Sequence, residues 1–390
     1  GVLSFIKKLQ TIDTTNYFTR VLSDESDKFS IVTATIVKIL SIIIFVQQWY
    51  VNKSFIAGLE AFIITLSFTA LIILGVLDKL PFTSVSKKIK LSGAAIIGYD
   101  GVKTMSNIDH IVVEDRDLFP SKTLSLCGIK MYNGADVEDV VIDVTSVYKK
   151  VTGPMTSVML DVIDNREELL RDATDIMYYD EKGVSAMVGG KLILIGNLEL
   201  MSINLVRIPK DGIAQKIYST GKVPLYIAVD GRLAAIFSLK YTENKNVKKY
   251  LKRINSNGIG IIVKTADPNL TQDFICQKYN VNPRNVKIMP SRLIESYESL
   301  EFEEGLPPIV TITKDIAAYL RAQSAINKIK NLMSINKLIC FAAILVGITA
   351  TAFLALVNDF SIVTPLHTIV MGIWWFIPIS LITMLSKLKV

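Results

Sequence analysis

The stretch IVVEDRDLFPSKT, residues 111–123, decides how the rest of the chain is read. Ile111, Val112 and Val113 form a short apolar run of the kind that makes a buried strand, and Glu114 and Asp115 end it. Asp117 follows two positions on, so one carboxylate sits at the strand tip and a second one turn away. Ligands of open parallel sheets gather at these carboxyl ends of strands. An aspartate there is a candidate covalent phosphoryl acceptor. That chemistry also needs Mg²⁺, a cation on the phosphoryl oxygens, and a hydroxyl or backbone donor. Taken alone, D-x-D after a strand is more often a polar turn.

Working outward, the 390-residue chain is 50% hydrophobic, and its mean hydropathy is +0.40. It is too apolar for an ordinary soluble protein and too polar for one embedded throughout, so a part-membrane, part-globular chain is expected. It begins with Gly1 rather than Met, and a fragment or processed product is expected. The net charge of +7 fits basic residues flanking membrane spans rather than a nucleic-acid partner; the partner expected is the lipid bilayer. Cys127, Cys276 and Cys340 are isolated, and His110 and His367 are far apart, so no metal site built on Cys and His is expected.

Four segments reach the length of about 20 apolar residues that spans a bilayer. They are residues 29–50, 55–77, 338–357 and 366–385, paired through the short links VNKS and NDFSIVTP. Lys79, Lys87, Lys88 and Lys90 flank the long middle at one end, Lys328, Lys330 and Lys337 at the other, and Lys387 and Lys389 lie in the tail. The positive-inside bias then makes the middle and both termini cytoplasmic. No cleavable signal is expected at the start.

The middle reads as α/β. HIVVED, KLILIG, PLYIAVDG, LAAIFSL, GIIVKT and NVKIMP look like buried strands; NVKKYLKRINSNG and LTQDFICQKYN carry helical patterns. After GIIVKT, Thr265 and Asp267 stand at a strand end, as Asp115 does. Thr265 is a candidate donor to a phosphoryl group, although a helix cap or turn is the commoner use of such a threonine.

In that order these segments resemble a P-type ATPase, most of all its heavy-metal-transporting class. SFIKKLQTIDTTNYF is similar to the linker leaving an actuator domain. LSGAAIIGYDGVKTMSNIDHIVVEDRD resembles the run into the phosphorylation motif, and EKGVSAMVGGKLILIGNLELM a nucleotide-domain pattern. GKVPLYIAVDGRLAAIFSL resembles the strand pair re-entering the phosphorylation domain, and KRINSNGIGIIVKTADPN the segment ending in Thr-Gly-Asp-Asn. The resemblance implies a HAD-like phosphorylation domain with an inserted nucleotide-binding-like domain, and four transmembrane helices in two hairpins. The implied parts are a linker at 1–28 from an actuator domain, a membrane hairpin at 29–78, phosphorylation-domain halves at 79–120 and 221–335, the insert at 121–220, and a second hairpin with a basic tail at 336–390. Asp115, Asp117, Thr265 and Asp267 take the catalytic positions, Gly183, Gly196 and Asn197 the nucleotide-binding ones, and ATP and Mg²⁺ are the implied cofactors.

The departures from the family pattern carry the functional expectation. The family follows its aspartate with Lys-Thr-Gly-Thr; here Arg116, Asp117, Leu118 and Phe119 follow, and Asp117 would repel a dianionic phosphoryl group. Thr-Gly-Asp-Asn has become Thr265-Ala266-Asp267-Pro268. The Asp and Arg of the family's D-x-x-R fall at Tyr241 and Asn244, and the His of its His-Pro pair falls near Gly153-Pro154. Where the Mg²⁺ loop belongs there is only EFEEGLPPIVTITKD, with Glu303 and Glu304, and the second span lacks the Cys-Pro-Cys-like triplet. Lys38, Glu60 and Asp78 are the remaining ionisable groups of the first hairpin. The expectation is a catalytically impaired P-type ATPase-like protein of the plasma membrane, with a regulatory or structural role beside an active transporter or another membrane protein. Two alternatives stand beside it. One is an active ATP-driven heavy-metal transporter using Asp115 as phosphoacceptor. The other is a membrane-anchored HAD-type phosphatase with Asp115 as nucleophile and Asp117 as acid/base.

Overall fold

Residues 110–114 do form a strand, and its neighbours explain why Asp115 lies where it does. The computed structural model describes residues 3–4, 28–69, 80–151, 153–299, 310–313 and 315–387. The chain divides into two units, one of residues 1–10, 108–304 and 315–320, the other of residues 11–107, 305–314 and 321–390.

In the first unit, strands β1 (Leu3–Ser4), β3 (His110–Glu114), β10 (Gly260–Lys264) and β11 (Val286–Ile288) make a parallel sheet in the order β1-β3-β10-β11. Ile111, Val112 and Val113 are all buried, each worth roughly 1.5–3 kcal/mol of apolar transfer. The helix Lys245–Ser256 covers the sheet by burying Val247, Leu251 and Ile254 and turning its lysines outward.

A second sheet is antiparallel and six-stranded. It comprises β4 (Leu124–Met131), β5 (Ala173–Tyr179), β6 (Gly183–Val188), β7 (Lys191–Gly196), β8 (Val223–Val229) and β9 (Arg232–Tyr241), in the order β4-β9-β8-β7-β6-β5. Residues 223–241 therefore belong to this sheet, beyond the boundary expected at residue 220. Pairing drives this: apolar β8 and β9 hydrogen-bond β7 and β4 along most of their lengths. Helices Val137–Val151 and Pro154–Val162 pack within the same unit.

In the second unit, β2 (Ala94–Ile96) pairs antiparallel with β12 (Val310–Ile312). Three helices among the described residues are long and apolar enough to cross a membrane: Ile31–Asn52 within Lys28–Asn52, the 42-residue Ile316–Val357, and Pro365–Ile382 within Pro365–Lys387. The second expected span is helical over Phe55–Thr69, and its remainder lies outside the described residues. The third expected span is the C-terminal part of the continuous helix Ile316–Val357, with no break near residue 336.

These helices pack through an apolar cluster of Ile44, Ala61, Ile64, Phe68, Ala355 and Phe360, with small and polar residues at the closest approaches. Thr65, Thr69 and Thr351 are buried and return their hydroxyls to carbonyls one turn back, at 2.7, 2.6 and 3.0 Å. A Cβ on Gly347 would stand 2.4 Å from the Phe68 carbonyl oxygen. At the link ends, Asn52 and Asn358 exchange side-chain hydrogen bonds of 2.9 and 3.0 Å, and Gln48 Nε2 donates to the Ala355 carbonyl at 3.3 Å. Lys38 and Glu60 are both exposed among the described residues.

Gly347→Val forces the Phe68 backbone and its helix apart. We expect a loss of at least about 1–3 kcal/mol, as for overpacked cores, read as a lower unfolding midpoint of the membrane helices in detergent. Gly372→Val, where a Cβ meets nothing within 4 Å, leaves it unchanged.

Candidate active site at the ends of the parallel strands

Register builds the site. Val113 aligns with Val263 and Glu114 with Lys264. The residues immediately after these pairs, Asp115 and Thr265, therefore leave the sheet side by side. Thr265 Oγ1 donates to Asp115 Oδ2 at 3.0 Å, and Arg116 N–H donates to Asp115 Oδ1 at 2.7 Å. Thr265 Oγ1 also accepts the Asp267 N–H at 3.0 Å, which fixes the rotamer of its hydroxyl. Three of the four expected catalytic positions, Asp115, Thr265 and Asp267, are thus joined by hydrogen bonds through Thr265.

Asp117 is used differently. The strand ends at Glu114, and residues Asp115–Leu118 form a single helical turn. Glu114 caps that turn, and Asp117 Oδ2 reaches back to accept the Glu114 N–H at 2.9 Å, completing a reciprocal capping box. Leu118 and Phe119, standing where the family has glycine and threonine, are fully buried. Phe119 meets Tyr241 and Tyr279 edge-on, at ring-centroid distances of 5.5 and 5.4 Å. The loop after the aspartate is therefore anchored in an aromatic core.

Tyr241 belongs to that core and also to the site. Its hydroxyl donates to Asp267 Oδ2 at 2.6 Å, and Asp267 Oδ1 accepts the Asn269 N–H at 3.0 Å. Sequence reading placed Tyr241 at a lost motif position but gave it no partner. Tyr148, on the helix Val137–Val151, was missed entirely: its hydroxyl is buried with no hydrogen-bond partner among the described residues, and burial, with the fields of Asp267 and Asp115 added, raises it well above the usual tyrosine value.

Gly153 completes the enclosure. Its φ is +134°, and a Cβ there would lie 3.3 Å from Asp115 Oδ2. Asp115 is only 7% exposed. Burial pushes its carboxyl up to about 7, against the opposing bonds from Thr265 and Arg116, and Asp267 adds like-charge repulsion. Burial likewise raises Asp117 and Asp267.

The nucleotide-site candidates sit on β6, β7 and the turn that follows. Gly183 opposes Gly196 in the ladder, and a Cβ on Gly183 would stand 2.1 Å from the Ile195 carbonyl oxygen. A Cβ on Gly196 would stand 2.3 Å from the Lys182 carbonyl oxygen. Asn197 accepts the Glu199 and Leu200 N–H groups at 3.0 and 3.1 Å, capping the helix Leu198–Ile203, and donates to the Glu181 carbonyl at 2.8 Å. All three residues are thus in use by the fold. No group of three or more His, Cys, Asp or Glu side chains that could hold a metal occurs among the described residues. Glu303 and Glu304 lie outside those residues.

Comparison with known proteins now bears on this arrangement. No family model matches the chain. It is 22% identical over 200 residues to a silver-exporting P-type ATPase of Salmonella typhimurium, covering 51% of this chain and 24% of that protein. It is 22% identical over 202 residues to copper-transporting ATPase 1 of Rhizobium meliloti (strain 1021), covering 52% and 24%. The chain's homologues are heavy-metal P-type ATPases. It spans about a quarter of the length of those two relatives. Among solved structures, a zinc-transporting PIB-type ATPase in its E2·Pi state overlays with a TM-score of 0.48 at 11% identity, covering 96% of this chain and 66% of that one. Heavy-metal P-type ATPases use ATP and Mg²⁺, and they are membrane proteins.

A carboxyl raised on folding binds its proton more tightly in the native state. It stabilises the fold below the unfolded value of 3.8, and that stabilisation is lost as pH climbs towards about 7. We expect the urea midpoint of the wild type to fall between pH 5 and 8. Asp115→Asn should fall less, by on the order of a few kcal/mol at most. Parallel pH profiles would contradict this.

Proposed function

We propose that the chain belongs to an integral membrane, P-type ATPase-like protein that keeps the position of the phosphorylation site without its phosphoryl-transfer chemistry. The carrying observation is that every carboxylate of the expected motif is already engaged by protein donors. Asp115 is held by Arg116 N–H and Thr265 Oγ1, Asp117 by Glu114 N–H, and Asp267 by the Tyr241 hydroxyl and Asn269 N–H. A Mg²⁺ ion needs such oxygens turned towards a shared point with several waters. These residues do not fit the ion, and Gly183, Gly196 and Asn197, spent on strand and helix packing, do not fit a nucleotide. Of the segment that the family resemblance makes the metal loop, Val310–Ile312 pairs antiparallel with β2, and Glu303 and Glu304 lie outside the described residues.

Such a protein acts by binding rather than by turnover, as a regulatory or structural companion of an active transporter or another membrane protein. The lysines that flank the long middle favour a cytoplasmic central domain. The phosphatase alternative needs the Asp117 carboxylate beside a leaving group, and its bond to Glu114 N–H directs it elsewhere.

The test is incubation of the purified protein with radiolabelled ATP and Mg²⁺, followed by acid quench. We expect no acid-stable phosphate above the level of Asp115→Asn. Incorporation that disappears in Asp115→Asn would restore the active-transporter reading.

A further inference from the structure

The turn between β5 and β6 reaches past its own sheet. Asp180 Oδ1 accepts the N–H of Ser291 at 2.7 Å, at the first residue of the helix Ser291–Glu298. Glu181 Oε2 accepts the N–H of Gln272 at 3.4 Å, at the first residue of the helix Gln272–Tyr279. Adjacent carboxylates of one turn therefore occupy two separate helix N-termini, where unpaired N–H groups and the helix dipole favour negative charge. Both helices follow strands of the parallel sheet, β10 and β11. The turn is itself braced, because Asn197 donates from Nδ2 to the Glu181 carbonyl at 2.8 Å and from its backbone to the Lys182 carbonyl at 2.9 Å.

Behind this turn runs a narrow cleft lined by Tyr178, Gly183, Thr265, Asp267, Pro268 and Met289. It has the antiparallel domain on one side and the ends of the parallel strands on the other. At another point of the same unit, Gly153 lies against the Asp115 carboxylate, and Thr156 Oγ1 ties the following helix to the Tyr148 carbonyl at 2.7 Å. Two independent contacts thus hold chain over the strand ends. One is a pair of carboxylates on helix termini, and the other is a glycine packed on the aspartate itself.

We propose that the antiparallel domain is an intrasteric lid over Asp115, latched by Asp180 and Glu181 on the N-termini of Gln272–Tyr279 and Ser291–Glu298. The latch rests on the preceding reading only in taking Asp115 as the covered group. It explains why that group is buried although it stands at the open end of a parallel sheet. The lid excludes anions from the strand ends because the N–H groups that would attract them already hold the chain's own carboxylates.

The experiment uses the full chain in lipid nanodiscs with two readouts. The first is hydrogen–deuterium exchange of peptides containing Gln272, Ser291 and residues 153–162. The second is carbodiimide-driven amidation of Asp115 by glycine ethyl ester, scored by mass spectrometry. Asp180→Ala/Glu181→Ala should raise both by roughly 3- to 30-fold, the effect of two charges removed from helix N-termini. Asp180→Ala alone should give an intermediate rise. Lys182→Gln, in the same turn but paired with Glu199 at 3.1 Å, should leave both at wild-type rates. Unchanged exchange in the double variant overturns the latch, and so does faster exchange without faster amidation of Asp115. The two proposals fail separately. If the opened variant takes phosphate from ATP at Asp115, the latch stands and the loss of chemistry falls. If exchange is unchanged and no phosphate is taken, only the latch falls.

Discussion

The parallel register between β3 and β10 is the constraint on which the site depends. Asp115 and Thr265 are 150 residues apart, yet Glu114 lies opposite Lys264, so the next residue of each strand emerges at the same sheet edge. Hydrogen bonding in the ladder fixes that alignment, and a slip of one residue would swap the two buried faces of the strand and their packing partners. Everything at the strand ends inherits its position from this alignment, including Asp267 through its bond to Thr265 and Tyr241 through its bond to Asp267.

On that frame two effects compete at Asp115. Donors from Arg116 and Thr265 favour the carboxylate, while burial and the neighbouring Asp267 favour the acid. Burial wins. The enclosure that shields Asp115 from water is thus also what raises its carboxyl. The substituted loop fits this outcome. Leu118 and Phe119 contribute apolar volume to a core, and Asp117 contributes a cap.

Much of the fold was legible because the central strands are continuous apolar runs. HIVVE, KLILIG and GIIVK announce themselves in this way, and all three are strands. β4 and β5 did not, because they are the edges of the six-stranded sheet: Ser125, Gly128 and Lys130 break the apolar pattern of β4, Thr174 and Asp175 that of β5, and a bulge interrupts β4 between Leu126 and Gly128. In the site, Asp115, Thr265 and Asp267 were recognisable as strand-end residues. The role of Asp117 had a local signal that went unread, an acid three residues after Glu114 at the start of a helical turn. Gly153 and Tyr148 had none. Their approach to Asp115 is set by how two helices pack, and nothing in the neighbouring sequence encodes it.

The carboxamide exchange between Asn52 and Asn358 bears on how the membrane helices can move. Each amide is both donor and acceptor to the other, so both bonds form at one axial alignment only. Sliding one hairpin along the other by a helical turn, about 5.4 Å, would pull the amides beyond contact and break both bonds, leaving Asn52 with its Gln48 partners at 2.8 and 3.2 Å. Tilting about that point would preserve them. The pair therefore acts as a pivot, permitting rocking of the hairpins and opposing piston-like travel.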